Sequence, residues 1–162
     1  MNNKTCFLTQ VSLLSVFIFV TGTFKIPSIF PGAEFQLSAP IAVAICAVFG
    51  FKKYIIAGLI ASFIGLALGT QNLLAVIIAM TFRLTVGLIL TVCGRSPLVI
   101  SIAGPIGSVI GRLVLGSIVG KAVIPLIIAA LPGMIFTAIT SYPMVKLFKK
   151  VQESFRYSQK IG

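Results

Sequence analysis

Two arginines inside apolar segments are the side chains of this 162-residue sequence best suited to hold a charged ligand. Arg83 lies about twelve residues into the segment 72–93, and Arg112 lies about sixteen residues into the segment 97–120. A guanidinium at such depth in a bilayer costs at least ~2.5–3.5 kcal/mol, so it is expected to face protein or water. Its two-pronged donor geometry suits a carboxylate or a phosphate. We predict that both arginines are charge partners of a small anionic substrate; the alternative is that helix carbonyls or Glu34 satisfy one or both.

Few residues of this sequence could support catalysis or bind a metal ion. The sequence has no His and no Asp, and its two acids, Glu34 and Glu153, lie at opposite ends of the chain. A Ser-His-Asp triad cannot form, and a carboxylate pair for acid–base catalysis is not expected. Cys6, Cys46 and Cys93 have neither CxxC spacing nor an even count, so we interpret them as apolar fillers. We therefore expect no enzymatic activity, no metal site and no cofactor.

The composition indicates the kind of protein that must position the two arginines. Hydrophobic residues make up 58% of the chain and charged residues only 9%, with a mean hydropathy of +1.15. A soluble domain carries about a quarter charged residues, so a water-soluble fold and a disordered chain are both excluded. We predict a single all-α membrane domain with a basic cytoplasmic tail at 149–162. Its six transmembrane helices are predicted at about 6–24, 35–51, 54–69, 72–93, 97–120 and 122–148.

The basic residues predict how these six segments are oriented. With a cytoplasmic N-terminus, nine of the thirteen Lys and Arg residues lie on the cytoplasmic side, and only Lys25 and Lys121 lie outside. The positive-inside rule therefore favours both termini in the cytoplasm. The net charge of +11 is then a topology signal, with the basic tail facing anionic lipid or a cytoplasmic partner, and it does not indicate nucleic-acid binding.

The connection between the first two segments is long and apolar, unlike the other loops, and is punctuated by Pro27, Pro31 and Gly32. We predict that it folds over the outer mouth of the bundle as a lid; the alternative is an interfacial loop anchored by Phe. Gln71 and Asn72, in the turn before 72–93, reach the same mouth or simply form that turn. The further candidate substrate-binding residues are Glu34, Gln36 and Asn72 as hydrogen-bonding groups, and Phe30 and Phe35 as lid contacts.

Small residues recur at helical spacing in two segments. One stripe contains Ala57, Ala61, Gly65 and Gly69, and the other contains Gly104, Gly107 and Gly111. Small residues let membrane helices approach closely. Each stripe predicts either packing inside the bundle or docking of another membrane subunit.

The stretch FKIPSIFPGAEFQLSAPIAVAICAVFGFKKYIIAGLIAS, together with six spans and two cytoplasmic termini, resembles the S components of energy-coupling factor (ECF) transporters. The resemblance implies a substrate-binding subunit that captures a vitamin or related micronutrient from outside, in the plasma membrane of a prokaryote. It also implies a membrane coupling subunit and two cytoplasmic ATPase subunits as partners, and this chain has no G-x-x-x-x-G-K-[ST] motif of its own. The KIP…F segment is similar to the biotin-specific branch. Arg83 matches the ligand-contacting arginine of that branch, whereas its aspartate has no counterpart.

Two other functions are compatible with the same residues. The chain could act as a stand-alone oligomeric carrier or channel for a small solute, with one stripe making contacts between copies. It could equally be a non-transporting scaffold for a membrane enzyme. Retention of a tightly bound small molecule through purification would exclude most scaffold functions.

Overall fold

Six helices follow one another in the part of the chain that the computed structural model describes, which is residues 3–23, 25–27, 34–36, 38–120 and 123–161. The prediction of a helical fold is thus confirmed, with the addition of one short ribbon. The helices are α1 Asn3–Thr23, α2 Ser38–Phe49, α3 Phe51–Ala67, α4 Leu73–Val92, α5 Pro97–Val119 and α6 Val123–Ile161. The strands are β1 Lys25–Pro27 and β2 Glu34–Gln36.

Four of these helices are long and apolar enough to cross a bilayer, namely α1, α4, α5 and α6. The other two are shorter than the roughly 30 Å hydrocarbon core. Helix α2 has 12 residues and α3 has 17, which correspond to about 18 Å and 26 Å. The predicted second segment, 35–51, is shortened because residues 34–36 form β2.

Helix α2 forms the centre of the bundle. Its residues from Pro40 to Ala47 are all buried, and Val43, Ala44 and Ile45 have no exposed surface. The outward faces of the helices around α2 carry exposed apolar side chains such as Phe63 and Val92. An exposed apolar surface of this extent is stable in lipid and unstable in water. The chain is therefore a membrane protein, with its shortest helix enclosed by the others.

The connection between α1 and α2 contains an antiparallel two-stranded ribbon. Ile26 pairs with Phe35, flanked by the pairs Lys25 with Gln36 and Pro27 with Glu34. Branched and aromatic residues favour this extended conformation. Strand β2 lies against α6, so the ribbon is attached to the helix bundle.

Helix α6 continues past residue 148, where the predicted membrane span ends and the predicted basic tail begins. It runs for 39 residues from Val123 to Ile161, about 58 Å along its axis. The segment after Pro143 contains no Gly or Pro before Gly162 that would end the helix. The basic segment 149–162 is therefore largely a continuation of this helix.

The small-residue stripes pack inside the bundle. A Cβ added at Gly104 would lie 2.4 Å from Thr137 Cγ2. One added at Gly107 would lie 3.0 Å from side-chain atoms of Phe82 and of Val86. Ala57, Ala61 and Gly65 of the other stripe are also buried. The structure thus favours the internal-packing interpretation of both stripes over an external docking surface.

Candidate functional site

A cavity of about 270 Å³ lies between five of the helices and the α3–α4 turn. This volume is at the small end of the roughly 300–1,000 Å³ range of ligand sites. Its lining on α4 runs from Ala75 to Arg83. The first and last of these nine residues are about 12 Å apart along the helix. The cavity is therefore long enough for an elongated small molecule, and both predicted arginines line it.

Arg83 is held at the wall of this cavity by the neighbouring helix α3. Its side chain is only 7% exposed. The Nη1 atom donates to the carbonyl of Gly58 at 3.0 Å and to Ser62 Oγ at 2.7 Å, and it lies 3.4 Å from Met80 Sδ. All three groups are uncharged, so they fix the guanidinium without neutralising it. The alternative prediction was that helix carbonyls satisfy the arginine. The Gly58 carbonyl does accept one of its hydrogen bonds, but a positive charge still faces the cavity.

Gly58 makes this position of Arg83 possible. A Cβ built on Gly58 would lie 2.6 Å from Arg83 Cδ and 2.7 Å from its Nε. Carbon atoms make favourable contacts only at about 3.5–4.0 Å, so any larger residue would displace the arginine. The neighbouring stripe through Ala57 and Ala61 predicted close packing on this helix, but Gly58 itself was not among the predicted contacts. The sequence feature that could have indicated this contact is a glycine in one predicted helix and an arginine without an acidic partner in the next.

Arg112 lines the same cavity from helix α5. Its Nη1 donates to the carbonyl of Ser108, one turn earlier, at 3.2 Å. Gly107 packs against Phe82, and Gly111 packs against Ile78, so α5 runs antiparallel to α4 with Ser108 close to the level of Thr81. Side chains on helices point towards the N-terminus. The two guanidiniums therefore approach the same depth of the cavity from antiparallel helices.

Two buried polar atoms that line the cavity were not among the predicted ligand contacts. Tyr54 has no exposed surface, and its Oη makes no hydrogen bond to a described residue. It interacts with the Arg83 guanidinium electrostatically and at the margin of hydrogen-bonding geometry. Gln71 Oε1 is also buried and lacks a partner among the described residues. Leaving such a group unpaired costs about 1–3 kcal/mol, so both atoms are candidate ligand contacts.

The other predicted contacts have different positions. Asn72 is exposed, and its Oδ1 accepts a hydrogen bond from the backbone N–H of Ala75 at 2.8 Å, which caps helix α4. Its predicted role in binding stays a prediction, and it is the adjacent Gln71 that lines the cavity. Glu34, Phe35 and Gln36 belong to strand β2 by their backbone. Phe30 lies outside the described residues.

The cavity has the chemistry of a binding site for a small acid. Two cationic side chains and several hydroxyl and amide groups line it, and the intervening wall is formed by apolar residues such as Ala79 and Phe82. In the described residues, no group of three or more His, Cys, Asp or Glu could hold a metal ion. The arrangement can hold an anion in place.

Comparisons with known proteins identify one relative. Protein BioX of Lysinibacillus sphaericus is 52% identical over 146 residues, which are 90% of this chain and 88% of that protein. The similarity therefore extends over nearly the whole of both chains. No protein-family profile and no solved structure matches the sequence.

Proposed function

The chain belongs to the family of Protein BioX, and on that premise we propose that it is the substrate-binding subunit of an ECF-type importer for a small anionic vitamin or related micronutrient. The observation that carries this proposal is Arg83, whose guanidinium lies at the wall of the cavity and has only uncharged hydrogen-bond partners among the described residues. An ionisable group at this depth is costly and marks a substrate pathway by default. A bound carboxylate would supply the missing negative charge.

Biotin or a chemically related acid is the first substrate to consider. The name of the relative, Protein BioX, is one reason to test biotin first. The KIP…F segment and Arg83 resemble the biotin-specific branch of the S components. The chain has no aspartate, so the polar group at the other end of such a substrate would need a different partner.

The proposed topology places both termini in the cytoplasm and the ribbon of β1 and β2 outside. All six helices would then lie in the membrane, with the short α2 enclosed by longer neighbours. Transport would need a membrane coupling subunit and two cytoplasmic ATPase subunits in the bacterial plasma membrane. The exposed Lys149 and Lys150 of α6 would lie on the cytoplasmic side, near anionic lipid or these partners.

The test is equilibrium binding of radiolabelled biotin to the purified protein in lipid nanodiscs, with native mass spectrometry of any acid that co-purifies. We expect the wild type to retain a small acid and the Arg83→Ala variant to lose it. Leu84→Ala is the matched control, because Leu84 is the next residue of α4 and is 46% exposed on the outer face. Equal retention by the Arg83→Ala variant would refute the proposal.

A second measurement separates importer from stand-alone carrier. Proteoliposomes that contain only this chain are expected to bind the acid without accumulating it. Accumulation without ATPase subunits would instead indicate an autonomous carrier or channel.

A further inference from the structure

We infer that the cavity recognises an elongated acid at both of its ends, with Tyr54 and Arg83 holding the carboxylate and Gln71 accepting a hydrogen bond from an N–H or O–H group at the opposite end. The inference rests on the proposed function, because it assigns further residues to the same cavity. It makes Tyr54 and Gln71 specificity-determining residues.

The acid end is built around two almost completely buried groups. Tyr54 is wholly buried and Arg83 is 7% exposed. The Tyr54 hydroxyl interacts with the Arg83 guanidinium beside it, but the two groups are not aligned as a full hydrogen bond, and the hydroxyl has no other partner among the described residues. A carboxylate between the two would accept from the hydroxyl and from the arginine together, and charge-assisted bonds of this kind are the stronger ones.

The opposite end is built on the turn after α3. The backbone N–H groups of Thr70 and Gln71 donate to the carbonyl of Gly65, at 3.0 Å and 3.1 Å. The Gln71 amide lies directly over Gly65, where an added Cβ would be 2.9 Å from Gln71 Cδ. The side-chain amide therefore packs closely against helix α3, and its buried Oε1 accepts no hydrogen bond from the described residues. A donor on the substrate would satisfy it.

The spacing of these two ends follows from helix α3. Gly58 lies under the Arg83 side chain and Gly65 under the Gln71 side chain. These glycines are seven residues apart, which is about two turns and about 10 Å, so both polar groups lie on one face of the helix. Apolar lining residues such as Ala61 and Phe82 occupy the space between them. The substrate class is thus an acid with an apolar middle and an N–H or O–H group at its far end.

The test compares three straight-chain probes of equal length by calorimetry in nanodiscs: octanoic acid, suberic acid monoamide and suberic acid. We expect the monoamide to bind the wild type roughly tenfold more tightly than octanoic acid, the effect of one neutral hydrogen bond to a buried acceptor. Gln71→Leu should abolish this preference and leave octanoic acid binding unchanged. Tyr54→Phe should weaken all three probes.

Two further variants keep the test interpretable. Gly65→Ala should also reduce the preference for the monoamide, because the added methyl group displaces the Gln71 amide although Gln71 itself is unchanged. Leu68→Ala is the control, since Leu68 is 63% exposed beside the same turn. Size-exclusion profiles and thermal unfolding would verify that each variant is folded.

Two results would overturn this inference while leaving the proposed function in place. One is that the wild type binds octanoic acid and the monoamide equally tightly and that Arg83→Ala binds neither. The other is tightest binding of suberic acid with no effect of Gln71→Leu, which would show that the far end of the acid is not held by the Gln71 amide. Failure of every probe, with no acid retained by the wild type, would overturn both proposals.

Discussion

Replacing Gly58 by Ala would displace the Arg83 guanidinium without changing any charge in the cavity. The new Cβ would lie 2.6 Å from Arg83 Cδ, 2.7 Å from Nε and 3.1 Å from Cζ. These atoms belong to the middle and head of a side chain that is buried and fixed by hydrogen bonds. The arginine must therefore move, and Nη1 would leave the Gly58 carbonyl and Ser62 Oγ.

The magnitude follows from the bonds that are lost. A hydrogen bond to a charged group contributes about 1.5–3 kcal/mol. We expect the free energy of unfolding to fall by about this amount for each of the two bonds that does not re-form. If the displaced guanidinium no longer meets the substrate carboxylate, the loss of one such bond weakens binding by roughly 10- to 100-fold.

Calorimetric titration with biotin and with octanoic acid would measure this loss, with thermal unfolding of the same samples. Gly22→Ala is the matched control, because Gly22 also lines the cavity but its added Cβ would meet no described atom within 4 Å. If Gly58→Ala bound the acids with wild-type affinity while Arg83→Ala did not bind them, binding would not depend on the fixed position of the guanidinium.

Three further expectations concern stability and topology. Asn72→Ala should lower the free energy of unfolding by about 0.5–2 kcal/mol through loss of the α4 cap, and unchanged affinity for biotin would separate this role from binding. Gly87→Ala should destabilise the protein by about 1–3 kcal/mol, because its Cβ would lie 2.1 Å from the Phe51 ring; an unchanged melting temperature would contradict the packing of α4 on α3. With the other two cysteines replaced by Ser, the exposed Cys93 should react with a membrane-impermeant maleimide only after cells are permeabilised. Thr70→Cys, with all three native cysteines replaced, should react in intact cells, and the reverse pattern would invert the proposed orientation.

Hydrophobicity alone predicted the number and order of the helices. The bounds of α4 and α5 agree with the predicted segments to within a residue at either end, because Asn72 and Ser96 are N-cap residues and Gly120 is a left-handed C-cap. Helix α2 begins at Ser38, three residues after the start of the predicted segment 35–51, because Glu34, Phe35 and Gln36 pair with β1. Hydrophobicity ends near residue 148, whereas helix α6 continues through the predicted basic tail to Ile161.

The arginines were found from the sequence because the cost of burying a charge is a property of the residue and its depth. The roles of Tyr54 and Gln71 depend on how α3 is rotated against α4. A small-residue stripe indicates that something lies close to the helix but does not indicate what. The tertiary packing, and not the spacing, decides that Gly58 and Gly65 each accommodate a polar side chain.

Gly58 lies next to the small-residue stripe of α3 and Gly65 belongs to it, and both lie against polar side chains. Gly104 and Gly107 of α5 accommodate apolar groups from Thr137, Phe82 and Val86, as glycines in membrane helices are expected to do. Gly58 and Gly65 instead accommodate a guanidinium and an amide, which must be held against the bundle wall if they are to remain available to a substrate. Substitution by Ala should therefore lower stability with unchanged probe preference at Gly104, which is not part of the cavity wall, and should alter substrate preference at Gly58 and Gly65. A panel of these three Ala variants, measured for melting temperature and for binding of the three probes, would refute this distinction if probe preference changed at Gly104 as it does on α3.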